Sequence, residues 1–169
     1  MKRRNILSMS GMTLLAFAVL AGSAAAQQKT LKEQLFGVWT LVSTDVTAKD
    51  GIKQQNFGAN PKGILILDAS GRYAVVLGRP DRPKFKANDN IRLDTPAAEL
   101  GEAARAFTAY FGTWSVNEAD KTLIRQREGA LIPNEEGREI ISSVNLAGDE
   151  LKLSGTSPTG ARLETVYKR

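Results

Sequence analysis

The sequence contains no cysteine and no histidine. Without thiols no disulfide can form, so a folded chain must be held by its core alone. Zinc centres built on Cys or His are excluded, as are His-ligated haem, Ser–His–Asp triads and Cys–His nucleophiles. Any general acid or base has to be Asp, Glu, Lys or Tyr. No Asp-x-Asp-x-Asp loop is present for calcium, and neither a metal site nor a cofactor is expected. Beyond the amino-terminal region no apolar run approaches the roughly 20 residues that a membrane-spanning helix needs, so no stable membrane insertion is expected.

What is present begins with an address. Residues 2–4 are Lys-Arg-Arg, an apolar run extends from Met12 to Ala21, and Ala24-Ala25-Ala26 precede Gln27. That order of charged, apolar and small residues is the pattern of a cleaved secretory signal peptide. It divides the chain into a signal at 1–26 and one domain at 27–169, and predicts a periplasmic or secreted product. Leu20-Ala21-Gly22-Ser23 has the form of a bacterial lipoprotein signal with Ser in place of the lipidated Cys, so no acyl anchor is available. Cleavage would remove Lys2, Arg3 and Arg4 and no acid, leaving 20 basic against 18 acidic residues. The remaining bases are interspersed with acids, which argues against a nucleic-acid surface. A mature chain of about 143 residues is long enough for one hydrophobic core, and neither a repeat nor a linker divides it.

The mature region reads as mostly β. A short amphipathic segment, Leu31 to Leu35, leads into a strand at Gly37 to Asp45, with Trp39, Leu41 and Ser43 on one face. Asp50-Gly51 marks a turn, and residues 56–61 read as loop. Gly63 to Leu67 is a continuous apolar run of the kind buried on both faces. It is joined through Asp68-Ala69-Ser70-Gly71 to a strand at Arg72 to Leu77. The polar, proline-bearing stretch 78–94 reads as a long loop, a candidate lid in which Arg82 or Lys84 would meet an anionic head group. Thr95 as N-cap and Pro96 at the first helical position open a helix from Pro96 to Thr108. Five more strands follow, near Tyr110 to Val116, Lys121 to Glu128, Arg138 to Leu146, Glu150 to Ser154 and Arg162 to Lys168.

The expected fold is therefore all-β: eight antiparallel up-and-down strands closed into a barrel, with one short helix between strands 3 and 4. Closure removes exposed edges, and at eight strands the interior holds side chains or one small ligand. Alternation gives the inward faces. In Lys121 to Glu128 the less charged face, with Gln126 and Glu128, is expected inside, and Arg125 and Arg127 outside. Ile140, Ser142, Val144 and Leu146 share a face, as do Leu163, Thr165, Tyr167 and Arg169. The candidate ligand-binding set is Trp39, Leu41, Ser43, Tyr73, Arg82, Trp114, Gln126, Glu128, Ser142 and Thr165, an apolar cavity with a few polar groups.

Several motifs carry a resemblance. Gly37-Val38-Trp39 opens the first strand. Asn60-Pro61-Lys62-Gly63, Arg79-x-Asp81-Arg82-Pro83-Lys84-Phe85, Ala109 to Trp114, Glu128-Gly129 with Pro133-Asn134, and Gly148-Asp149-x-Leu151 follow in order. Together they resemble the bacterial lipocalin-like domain family over essentially the whole mature chain. The resemblance implies a lipocalin-like barrel of the calycin type, in which Trp39 plugs one end and a basic residue near the carboxy-terminus stacks over it. Arg169 is on the right face for that cation–π contact, with Lys168 the alternative if the register slips by one. The chain departs from the family pattern where members often carry His, at Arg125 and Gln126, and where they often carry Trp, at Glu135.

The expected function is an exported binder of one small apolar or amphiphilic molecule, acting as a monomer or dimer. Two alternatives stand beside it. One is a cofactor-free isomerase- or cyclase-type enzyme using Glu128 or Tyr110 as acid or base, which requires Glu128 inside the cavity. The other is a structural envelope protein whose barrel is filled by side chains.

Overall fold

A computed structural model describes residues 29–86 and 94–169. The expected signal peptide and the middle of the 78–94 loop lie outside the described residues. Helix α1 (Leu31–Leu35) precedes β1 (Gly37–Thr47), β2 (Lys53–Gln55), β3 (Lys62–Leu67) and β4 (Arg72–Gly78). Helix α2 (Ala97–Arg105) follows, then β5 (Phe107–Asn117), β6 (Thr122–Ala130), β7 (Glu139–Ala147), β8 (Glu150–Thr156) and β9 (Arg162–Lys168). A single 3₁₀ turn, Pro133–Glu135, lies between β6 and β7.

Every strand from β3 to β9 pairs antiparallel with its sequence neighbour, β3 pairs β1, and β9 returns to β1. The result is a closed eight-stranded up-and-down barrel, with β2 as an additional strand beside the end of β1. The residues of β2, Lys53-Gln54-Gln55, are all exposed. They lack the alternation that marks a strand and pair only because Asp45 to Thr47 leave an edge free on that side. This extra strand moves the helix to a place between the fourth and fifth strands, not the third and fourth. The helix is also shorter than 96–108, and Pro96, not Thr95, occupies the N-cap. Thr95 is instead buried with its hydroxyl unpartnered.

The core is the inner lining of the barrel. Trp39, Leu65, Val75, Leu123 and Leu151 are fully buried, with Leu67, Tyr73 and Tyr167 close behind. The run in β3 is buried on one face only: Leu65 and Leu67 point in, while Ile64 is substantially exposed. Two bulges break the alternation. One lies between Leu41 and Ser43 and the other opposite Phe111 and Gly112, each shifting register by one residue and re-aiming the side chains beyond it.

Turns divide between two ends. The 68–71, 118–121 and 148–149 connections share one end with α1, and the longer 79–106, 131–138 and 157–161 connections share the other. At the first end Thr30 and Glu33 form a reciprocal capping box on α1. The Glu118 carboxylate accepts from the Leu31 and Lys32 amides, both at 3.0 Å, so the β5–β6 turn satisfies helix donors that would otherwise be open. Leu31 and Leu35 bury against the strands and close that end.

Candidate functional site

The closed end contains the two tryptophans. Trp39 Nε1 donates to the Leu35 carbonyl at 2.9 Å, and Trp114 Nε1 donates to the Asp68 carbonyl at 2.9 Å. Phe36 packs edge-on to Trp114 at 5.7 Å between centroids. The Arg169 guanidinium stands 4.1 Å over the Trp39 ring and donates to the carbonyls of Gln34 and Phe36. Aromatic bulk fills this half of the barrel, with both indole N–H groups hydrogen-bonded.

The other half holds a cavity of about 520 Å³. The strand pairing explains why it is reachable. β7 pairs β6 through Glu139 to Ser143 but pairs β8 only from Ser143 to Ala147. Ahead of Ser143, therefore, the β7–β8 ladder has ended, and beyond the close approach of Gly155 to the Ile141 carbonyl the wall is unpaired; Ile141–Ser142 and Gly155–Pro158 all line the cavity. Leu77, Ile140, Leu153 and Leu163 supply apolar surface, and Tyr110, Tyr167, Ser142 and Thr165 supply hydroxyls.

The floor is cationic. Arg125 and Arg127 point into the barrel, and Gln126 and Glu128 point out, the reverse of the expectation from charge. Register decides this. Trp114 faces Arg125 directly across β5 and β6, and Val116 faces Leu123. Cross-strand partners share a face, so the inward Trp114 and the fully buried Leu123 carry Arg125 inward with them. Glu128 lies in the β6 bulge and forms an exterior salt bridge with Arg72 at 2.7 Å. Gln126 donates to the Gly137 carbonyl outside the barrel. The acid–base role considered for Glu128 has no basis, because its carboxylate is outside the cavity.

Arg125 is 6% exposed and donates to Ser142 Oγ at 3.0 Å. Among the described residues it makes no salt bridge, and its Nε has no hydrogen-bond partner. Arg127 lies with its guanidinium 4.1 Å over the Tyr110 ring and pairs with Glu135, which also pairs with Arg138 at 2.6 Å. The Arg127 Nε is likewise buried without a partner. Behind them Tyr73, whose ring meets that of Tyr110 edge-on at 6.3 Å, buries a hydroxyl with no partner of good geometry. Burial pushes the phenols of Tyr73 and Tyr167 above their ordinary range, against the opposing pull of the Arg125 charge. Both phenols therefore stay protonated at physiological pH.

Of the residues expected at the site, Ser142 and Thr165 line the cavity, and Tyr73 stands behind it. Trp39, Leu41 and Trp114 belong to the packed core. The bulge after Leu41 displaces Ser43, and Thr44 instead reaches Thr165, with their hydroxyls 3.3 Å apart. Arg82 lies away from the barrel interior, with its guanidinium 4.5 Å over Phe107, and lines a separate groove with Lys84 against α2. Among the described residues no cluster of acidic side chains could hold a metal ion, and no helix is long and apolar enough to cross a membrane.

No curated protein matches the chain. Among solved structures it is similar to a redesigned β-barrel, at 14% identity over 84% of this chain and 96% of that one, with a TM-score of 0.43. That likeness is too remote to bear on function. The model of the lipocalin-like domain matches residues 36–165, nearly the whole of the barrel just described. With a meander of eight strands closed on the first, and a Gly-x-Trp at the start of that strand, this chain belongs to the lipocalin-like domain family.

Proposed function

We propose that this protein binds one small, largely apolar or amphiphilic molecule inside its barrel, and does so after export. The observation that supports the reading is the cavity of about 520 Å³ at the end opposite the tryptophan plug, within the roughly 300–1,000 Å³ of small-molecule sites. Leucine, isoleucine and tyrosine line it together with three arginines, two glutamates and four Ser or Thr hydroxyls, apolar surface combined with placed polar groups. A barrel that served only as a structural element would gain by filling this space, since an unfilled interior forfeits dispersion contacts. Export is supported by the residue order at 1–26.

Solvent extraction and mass analysis of protein purified from its own host tests the binding role. A discrete organic mass at close to one per chain is the expected outcome. No such mass, together with no uptake of an amphiphilic fluorescent dye by the purified barrel, would remove the proposed function. Amino-terminal sequencing of the mature protein is expected to begin at Gln27.

A further inference from the structure

Among the described residues three buried polar atoms lack partners at or behind the floor of the cavity: Arg125 Nε and Arg127 Nε, whose residues line it, and Tyr73 Oη, which stands behind it. Two of the three can only donate, and the phenol can donate. A buried donor left open is costly, and a buried guanidinium without a carboxylate more so. The group in the cavity that would offset the Arg125 charge is an acceptor with several lone pairs and negative charge. Water meets the first need but not the second.

The charge count limits the ligand further. Arg125, Arg127 and Arg138 meet Glu135 and Glu139 around the cavity. Glu135 is already shared by Arg127 and Arg138, and one positive charge, that of Arg125, is left over. A monoanion balances the site, whereas a dianion would face the Glu135 and Glu139 carboxylates uncompensated. Above the floor, Leu77, Ile140 and Leu153 offer only apolar contact.

Resting on the reading that the cavity holds a small molecule, we propose that its ligand is an amphiphilic carboxylic acid bound as the monoanion. Arg125 and Ser142 hold the carboxylate, and the hydrocarbon body lies toward the gap between β7 and β8. Arg127 lines the cavity beside them, with its Nη1 on Glu135. The fixed pair of Arg127 and Glu135 holds the second guanidinium in place before the ligand arrives, which lowers the ordering cost of binding.

Titration calorimetry with decanoate, decan-1-ol and decyl phosphate tests this at neutral pH. Decanoate is expected to bind about 10- to 100-fold more tightly than decan-1-ol, the range for a hydrogen-bonded charge in a buried site. Arg125→Met should bring decanoate down to the affinity of decan-1-ol and leave the alcohol unchanged. Arg125→Lys should restore part of the preference. Ser142→Ala, a smaller change in the same contact, should weaken decanoate several-fold and keep the near-ultraviolet circular dichroism of the parent. Equal binding of acid and alcohol by the parent protein would overturn the anion assignment while leaving the small-molecule reading intact. Tighter binding of decyl phosphate would overturn the choice of a monoanion. Failure of all three probes to bind would overturn both.

Discussion

Arg169 at the closed end and Arg125 at the open end invert the usual relation between burial and structural use. Arg169 is exposed, yet its guanidinium is engaged: it covers Trp39 and donates through Nη2 to the carbonyls of Gln34 in α1 and of Phe36 just after it. Arg125 is buried, yet among the described residues one hydroxyl is its only side-chain partner, and its Nε has none. The first arginine ties the last strand to the first helix and works as a clasp. The second bears a desolvation cost that the protein itself does not offset. On the proposed reading, that charge without a carboxylate is what a ligand would meet.

Five variants would break or sharpen that contrast. The largest effect is expected from Trp39→Ala, which empties the middle of the packed half and should destabilise the protein by about 3–5 kcal/mol in urea unfolding. Gly112→Ala tests the bulge that leaves Glu128 unpaired between Arg127 and Gly129. A Cβ there would lie 1.9 Å from the Gln126 carbonyl oxygen, so backbone must move, and a loss of about 1–3 kcal/mol is expected.

Next comes the direct comparison of the two arginines. Arg169→Met should cost about 1–2 kcal/mol through the lost cation–π contact and hydrogen bonds. Arg125→Met should leave stability unchanged or slightly raised, because it removes an unpaired buried charge. A stability loss for Arg125→Met as large as that for Arg169→Met would show that both arginines serve the fold.

The smallest effect is expected at the clasp's neighbour, Glu118. The Lys32 and Leu31 amides that it accepts hold its carboxyl below its ordinary pKa of 4.5. With the folded value depressed, its contribution is fully present above the unfolded value and is lost as pH falls through the folded one. Glu118→Gln should therefore lower the urea midpoint slightly at neutral pH. The difference should vanish in acid, once the parent carboxyl is protonated.

Much of the barrel was legible in the residues. Strand spacing, the Asp-x-x-Gly turn at 68–71, the short Ala147-Gly148-Asp149 turn and the apolar alternation in β4 and β8 all reflect local chemistry that a single chain segment carries. β2 was not legible, because Lys53-Gln54-Gln55 has no strand pattern and pairs only where β1 offers a free edge. The polarity of β6 was misread by weighing charge alone. Had the hairpin turn at 118–121 been used to set the register, Trp114 would have faced Arg125, and the inward position of the arginines would have followed. The resemblance did carry one pointer to the site: Arg125 and Glu135, where the chain departs from the family pattern, both line the cavity.

The sequence alone determined that stability rests on an apolar core without cross-links, and that its strands succeed one another as a meander, because composition and period-two alternation are properties of local stretches. Tertiary structure decided which face of each strand looks inward past a bulge, and where β7 leaves β8 to open a gap. A one-residue shift in pairing reverses every side chain beyond it, and that shift depends on what the neighbouring strand presents.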